Sequence, residues 1–326
     1  MSAVRHCVVT GGLGFIGRAL AEALVRRGDR VTLLARPGGA RPPEGTTPWP
    51  ADLRSTEGLE DALRGADVVF HLAANANTTR AIEEPRYDFE VNVGGTFNLL
   101  EAALRARARR FVYVSSAAVY GTPERFPMDE LHPTRPFMPY GATKLSGELL
   151  CRVFHHAHGL ETVIGRPFCV YGPGEDPARA MVEVSRFLRW HLNGLPIPVL
   201  GDARRKTRDF VHVDDVVSAL LLLAEAGQGG EAYNIGSGEE SSMEDLVRLV
   251  GEATGRPATL EERPHITDDT YRLVADISRL RALGYAPRVM LAEGVRALAR
   301  VLGERPALPG PATRFRAGQE GETPAA

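Results

Sequence analysis

Tyr140-Gly-Ala-Thr-Lys144 places a phenol and an ammonium four residues apart. On a helix the two share one face, one turn apart. A free phenol titrates at about 10, too high for a base at neutral pH. A neighbouring ammonium favours the phenolate and lowers that value. Tyr140 is thereby a candidate to exchange a proton with a substrate hydroxyl or carbonyl, and Lys144 to hold a cofactor ribose as well. The chain has 39 basic residues, and all but Lys144 and Lys206 are arginine. Coding bias accounts for that excess, but it makes a lysine beside a tyrosine conspicuous.

A second constellation is Ser115-Ser116-Ala117-Ala118-Val119-Tyr120-Gly121, which ends an apolar run at 111–116. A serine at the carboxyl end of a parallel strand can donate to an oxygen that gains charge as hydride moves. Ser116 is flanked by Ser115 and Ala117, so there is no Gly-x-Ser-x-Gly elbow, which disfavours a Ser-His-Asp hydrolase. A third is Thr10-Gly-Gly-Leu-Gly-Phe-Ile-Gly17, with glycine at 11, 12, 14 and 17. It follows a strand pattern and opens a helix pattern, the context of a dinucleotide cradle. Glycines let a pyrophosphate reach the backbone, and the helix N-terminus offers free N–H groups.

These residues need a frame. Residues 4–10, 30–35, 67–72, 111–116 and 161–166 read as buried strands. Helical spacing occupies 16–27, 88–108 and 139–158. Such alternation implies a parallel sheet covered on both faces. After Gly172 the chain is broken by Pro173, Gly174 and Pro177, and strands become sparse. Ser241-Ser242-Met243-Glu244 reads as a capping box opening a helix at 243–254, and another helix covers 291–302. Residues 304–326 lack apolar periodicity and are expected to be disordered.

At 326 residues, 44% hydrophobic and 25% charged, the composition is that of an ordinary soluble globular chain with ample core. The net charge of −2 gives no basic excess for nucleic acid. Cys7, Cys151 and Cys169 lie far apart, without metal-ligand spacing, so neither a zinc site nor a disulfide framework is expected. A reducing cytoplasm fits best. No signal peptide is evident at the start. The apolar run near 216–226 ends in Glu225 and is too short to span a bilayer. His155, His156 and His158 read as a solvated helix end, and His71 as a structural histidine.

The end of the second strand bears on the cofactor. An acidic residue there binds the ribose 2′-hydroxyl of NAD. This chain has Ala35 and Arg36 instead, and a guanidinium suits the 2′-phosphate of NADP. The reading is therefore NAD(P), with NADP favoured. Asp52-Leu53, after a third strand, is placed to edge the adenine pocket.

Together these pieces resemble the extended short-chain dehydrogenase/reductase family, the NAD(P)-dependent nucleotide-sugar epimerases and dehydratases. The matching residues run in family order: Thr10–Gly17, Asp52-Leu53, His71-Leu72-Ala73-Ala74, Asn92, Ser115–Gly121, Tyr140–Lys144, Arg166-Pro167, Val170-Tyr171-Gly172-Pro173, Arg208-Asp209-Phe210, Tyr233-Asn234-Ile235-Gly236 and Arg263-Pro264. The resemblance implies an α/β fold: a Rossmann-type doubly wound parallel sheet with a smaller C-terminal substrate-binding domain. Residues 1–172 would be mainly cofactor-binding and 173–303 mainly substrate-binding, some strands of the latter returning to the main sheet. It implies catalysis by Ser116, Tyr140 and Lys144. Cofactor contacts would come from Gly11, Gly14, Phe15, Ile16, Gly17, Leu72, Ala73, Ala74 and Pro167. Arg208 and Arg263 match positions that bind a nucleotide-sugar diphosphate. It also implies a homodimer built on helices near 88–108 and 139–158.

Departures from the family pattern narrow the reaction. Where 4,6-dehydratases carry an Asp-Glu pair after the catalytic hydroxyl residue, this chain has Ala117-Ala118, so a typical dehydratase is disfavoured. Cys169 replaces an asparagine that lies near the substrate phosphates in relatives. The loop after Arg263-Pro264 reads His265-Ile266-Thr267-Asp268 in place of the common Gly-Asp. The leading expectation is an epimerase acting by transient oxidation at C4 of a nucleotide sugar. The second is an NADPH-dependent keto-sugar reductase, which Arg36 favours. An atypical dehydratase and a noncatalytic NADP-sensing protein complete the alternatives.

Overall fold

The computed structural model describes residues 4–38, 40–264, 270–304 and 306–309. Its frame is a seven-stranded sheet. The first half of the chain supplies β1 (His6–Thr10), α1 (Phe15–Arg26), β2 (Arg30–Ala35), β3 (Thr46–Pro50), α2 (Leu59–Leu63), β4 (Val68–His71), α3 (Thr78–Glu83), α4 (Pro85–Phe89), α5 (Gly95–Arg105), β5 (Arg110–Val114), α6 (Pro139–His158) and β6 (Thr162–Pro167). Then follow β7 (Cys169–Tyr171), α7 (Glu183–Leu192), β8 (Ile197–Leu200), β9 (Thr207–Arg208), β10 (Phe210–His212), α8 (Val213–Ala226) and β11 (Ala232–Ile235). The last elements are β12 (Ser241–Ser242), α9 (Met243–Thr254), β13 (Leu260–Arg263), β14 (Arg272–Leu273), α10 (Ser278–Ala282) and α11 (Leu291–Leu302).

The sheet order is β11-β6-β5-β4-β1-β2-β3, and every pairing is parallel. This is the doubly wound architecture the strand–helix alternation requires. The inner strands are covered on both faces and therefore read as unbroken apolar runs. In β1, Cys7 and Val9 enter one core with Leu20 and Leu24 of α1 and Leu220 of α8. Val8 enters the opposite core with Leu99 of α5 and Phe154 of α6. A third core holds Phe187, Leu246 and Leu298 of α7, α9 and α11, with Cys169 and Tyr171 of β7.

Several elements match their sequence reading and several do not. The long helix α6 has Pro139 in its first turn and ends at Gly159 in the left-handed conformation, signals that mark both ends locally. The single helix expected over 88–108 is instead α4, a wide π turn at Glu90–Gly94, and α5. An inserted π turn leaves little trace in a 3.6-residue pattern. The expected scarcity of strands after Gly172 is overturned, since β8 to β14 lie there. They are two to four residues long, too short to show alternation. The cap of α9 is Ser242, whose hydroxyl accepts from the Asp245 amide at 3.0 Å, one residue later than the expected box. Of the tail, the carbonyls of Pro306 and Ala307 accept from Asn193 and Arg189 of α7; residues 310–326 lie outside the described residues.

One buried ion pair ties α6 to the sheet. Glu148 is 1% exposed and Arg166 of β6 is 2% exposed. Arg166 donates to both carboxylate oxygens, at 2.9 and 2.6 Å, and Ser115 donates to the same carboxylate. A third guanidinium nitrogen donates to Tyr120 at 2.9 Å, whose hydroxyl donates to Asn234 of β11 at 2.6 Å. Removing one partner strands the other charge without water. Glu148→Ala is expected to lower the unfolding free energy by about 3–5 kcal/mol in urea titrations. A loss under about 1 kcal/mol, the value of a surface pair, would contradict this reading.

Candidate active site

The glycine loop sits between the carboxyl ends of β1 and β4. Gly11 has φ +71°, and a side chain there would meet the Ala73 amide at 2.7 Å. A Cβ on Gly17 would lie 2.3 Å from the Gly11 carbonyl. These close approaches leave room over the loop that no other residue type preserves. Helix α1 starts at Phe15 and Ile16 with no side-chain cap and no acidic residue in its first turn. Its leading N–H groups are open to an anion, so the residues present fit a dinucleotide pyrophosphate. Leu72, Ala73 and Ala74 continue from β4 beside the loop, and the Ala73 amide donates to Thr10 at 3.1 Å. His71 is 1% exposed, and burial pushes it down to about 3, so it is neutral. The Thr10 hydroxyl donates to its Nδ1 at 2.7 Å, and its Nε2–H points to Thr96 at 2.9 Å. It is structural, as its setting in the sequence implies.

Ser116, Tyr140 and Lys144 converge at the ends of β5 and α6. The Ser116 hydroxyl accepts the Ala118 amide at 3.2 Å, capping a short 3₁₀ turn at Ala117–Val119. This turn packs on the start of α6, where a Cβ on Gly141 would meet the Ala118 carbonyl at 2.5 Å, and so brings Ser116 beside Tyr140. Lys144 is 2% exposed, with its ammonium over the Tyr113 ring, 4.3 Å from the centroid. Burial pulls this lysine down to about 8, while Cys151, Glu148 and Asp88 act to raise it. The expectation that Lys144 lowers the Tyr140 phenol does not hold in this arrangement. Burial pushes Tyr140 up to about 12, with the Ser116 side chain acting to lower it and the Asp88 charge to raise it. Desolvation disfavours the phenolate more than the polar neighbours support it.

Sequence reasoning missed the group behind this pair. Asp88 is fully buried at the end of α4 and accepts from Asn75, Asn92 and Thr143. Asn92 sits in the π turn and Thr143 precedes Lys144. The matched family position at Asn92 was the only sign in the sequence pointing there.

At the far end of the cradle, Arg36 follows β2 and is exposed, with a long contact of 3.3 Å to the Tyr87 hydroxyl. Arg80 stacks on the same ring at 3.6 Å. Asp52 follows β3 and is held by Arg54 at 2.6 Å, whose hydrogen bonds keep its carboxyl below the usual range. Asp52 and Arg54 border a cavity of about 510 Å³ together with Ser55, Phe89 and Asn98. Leu53 is buried, and its carbonyl accepts from Asn98. Pro167 closes β6 beside Ile235.

The residues expected to face a substrate are more dispersed. Cys169 is 8% exposed in β7, and burial pushes its thiol up. Arg208 is 7% exposed, donates to the Thr207 and Tyr271 carbonyls, and lies 3.5 Å from Glu183. Arg263 lies on the separate β13-β8 pair, against Glu261 at 3.2 Å. The segment 265–268 lies outside the described residues. Among the described residues, no three His, Cys, Asp or Glu side chains are grouped to hold a metal, and no helix is long and apolar enough to cross a membrane.

A cradle for a dinucleotide joined to a Ser/Tyr/Lys set defines a class of oxidoreductase-type site, and comparison with known proteins gives the family. The profile of the "NAD dependent epimerase/dehydratase family" matches residues 7–236. A UDP-glucose 4-epimerase of Mycolicibacterium smegmatis is 35% identical over 300 residues, covering 88% of this chain and 95% of that protein. A dTDP-glucose 4,6-dehydratase of Streptomyces griseus is 33% identical over 307 residues, covering 90% and 92%. The crystal structure of a Thermus thermophilus UDP-glucose 4-epimerase in complex with NAD superposes with TM-score 0.82 at 36% identity, covering 90% of this chain and 98% of that one. The chain belongs to the NAD dependent epimerase/dehydratase family.

Gly17→Ala tests the cradle. The added methyl collides with backbone, so NAD affinity measured by calorimetry is expected to fall about tenfold or more, ~1.4 kcal/mol at least. An unchanged dissociation constant would show that the pyrophosphate does not approach this loop.

Proposed function

We propose that this chain is an NAD(P)-dependent epimerase that acts by transient oxidation at C4 of a nucleotide sugar. The carrying observation is the packing of the turn after Ser116 on the first turn of α6, which gathers Ser116 and Tyr140 with Lys144 one turn on, and the two alanines that follow Ser116. When bound, the nicotinamide supplies a hydride acceptor and donor. Tyr140 exchanges a proton with the C4 oxygen, and Ser116 steadies that oxygen as its charge changes. Lys144 supplies positive charge and a ribose contact. Ala117 and Ala118 bring no acid or base for removing water, which separates this reading from a 4,6-dehydratase.

In this reading residues 1–172 mainly hold the cofactor, through Gly11, Gly14, Phe15, Ile16, Gly17, Asp52, Leu53, Leu72, Ala73, Ala74 and Pro167. Residues 173–303 mainly hold the substrate. Arg208 and Arg263 bind its diphosphate, since guanidinium groups match phosphate geometry. Cys169 bounds the site as a packing residue. The free, buried cysteines suit a reducing compartment, the cytoplasm. The apolar side chains Phe89, Phe97, Leu149 and Val153 are exposed on α4, α5 and α6. Covering them against a second copy would make the homodimer of paired helices.

The second reading, an NADPH-dependent keto-sugar reductase, is favoured by Arg36 at the end of β2, where no carboxylate stands. The two differ in cofactor handling, so mass spectrometry of the cofactor that co-purifies separates them. Retained NAD supports the epimerase, and an empty site that takes NADPH supports the reductase. Arg36→Ala is expected to weaken NADP binding about tenfold and to spare NAD. Equal affinities in both proteins would remove Arg36 from cofactor choice. Tyr140→Phe is expected to cut turnover by about 10²–10⁴-fold while cofactor affinity stays unchanged. Full activity in that variant would overturn the mechanism.

A further inference from the structure

The surroundings of Arg208 carry an inference beyond phosphate contact. Its side chain, at the end of β9, is 8% exposed. Nη1 donates to the carbonyls of Thr207 and Tyr271, at 2.9 and 3.2 Å, so the guanidinium is clamped between β9 and the residue before β14. With both Nη1 hydrogens taken there, a phosphate that meets this arginine bidentately has to use its Nε–Nη2 edge. A carboxylate already stands at that edge. Glu183 Oε1 lies 3.5 Å from Nε, an ion pair longer than an ordinary N–H···O hydrogen bond. The neighbouring acid, Asp209, is committed to Ser237 and Gly238, whose amides donate to its two oxygens at 2.7 and 3.0 Å.

Of the two partners, the carboxylate is the one that can yield. Two carbonyls hold the guanidinium, whereas the Glu183 side chain is 20% exposed and loosely paired. It stands in the first turn of α7, where the helix dipole favours a negative side chain. Arg186 follows three residues on, a neighbour along the same helix face. Moved off Arg208, the Glu183 charge keeps favourable surroundings, so the exchange costs little.

We propose that Glu183 is a displaceable counterion of Arg208, a positioning residue that occupies the Nε edge until the diphosphate of the nucleotide sugar replaces it. The proposal rests on reading Arg208 as a diphosphate contact. A counterion of this kind competes with the ligand and repels its phosphates, which selects for ligands that bring enough charge to displace it. Its loss therefore strengthens binding. A carboxylate that only braced Arg208 in a binding position would act with the opposite sign, and its loss would weaken binding.

Titration calorimetry of the full-length, NAD-saturated protein separates the two, with UDP and dTDP as probes. In Glu183→Gln the dissociation constant of the nucleotide that binds is expected to fall about tenfold, and in Arg208→Ala to rise about tenfold. In the double variant the gain from Glu183→Gln is expected to vanish, because the competition is for Arg208. The matching nucleoside, which brings no phosphate, is expected to bind wild type and Glu183→Gln alike in NMR titrations. Glu183→Ala is a second neutral variant should Glu183→Gln not fold. An unchanged or raised dissociation constant in the folded neutral variant overturns the proposal, as does an equal gain in the Arg208→Ala background. If Arg208→Ala alone binds as tightly as wild type, the diphosphate reading of Arg208 falls with it. If Arg208→Ala binds weakly while Glu183→Gln gains nothing, only the counterion falls. Binding of neither probe to wild type overturns both.

Discussion

Lys144 has to carry a charge where water hardly reaches. Its side chain is 2% exposed, and burial draws it down to about 8 even with Cys151, Glu148 and Asp88 acting to raise it, close to losing its proton at physiological pH. An ammonium in such a place depends on fixed negative groups, and these are Asp88 and Glu148. Each is held by its own partners, Asp88 by three neutral donors and Glu148 by Arg166 and Ser115. Those partners come from the β4 loop, the π turn, α6, β5 and β6. The charge on one side chain thus depends on the relative placement of five segments of chain.

The doubly wound sheet delivers that placement. Its order brings the carboxyl ends of β1, β4, β5 and β6 to one edge, where ligands of such sheets bind. The glycine loop leaves β1, Ala73 follows β4, Ser116 follows β5, and Pro167 closes β6. Helix α6 lays Tyr140, Lys144 and Glu148 along one face, and the Glu148–Arg166 pair locks that face to the sheet. A site held on rigid elements keeps its geometry better than one held on loops.

The parts legible in the sequence are those encoded by near neighbours. The strand–glycine–helix pattern at 10–17 and the Tyr140–Lys144 spacing need only a few consecutive residues. The limits of α6 were readable because Pro139 and Gly159 mark both ends. Asp88 was not readable, because a carboxylate in a helical stretch looks solvated until Asn75 and Thr143 close over it, 13 and 55 positions away. The same holds for Glu148 and Arg166, 18 positions apart. The chemistry of Tyr140 was half visible: its partner could be named, but the burial that pushes it up to about 12 belongs to the folded surroundings. Arg36 was visible and remains where the strand pattern put it, exposed at the end of β2.

In the proposed reaction hydride leaves C4 of a nucleotide sugar and returns to the same carbon while Tyr140 moves the proton. Incubating the purified protein with UDP-glucose that carries deuterium at C4 tests it most directly. Slowed interconversion with UDP-galactose, with deuterium found at C4 of both sugars, is the expected result. Interconversion with deuterium lost to solvent would contradict it.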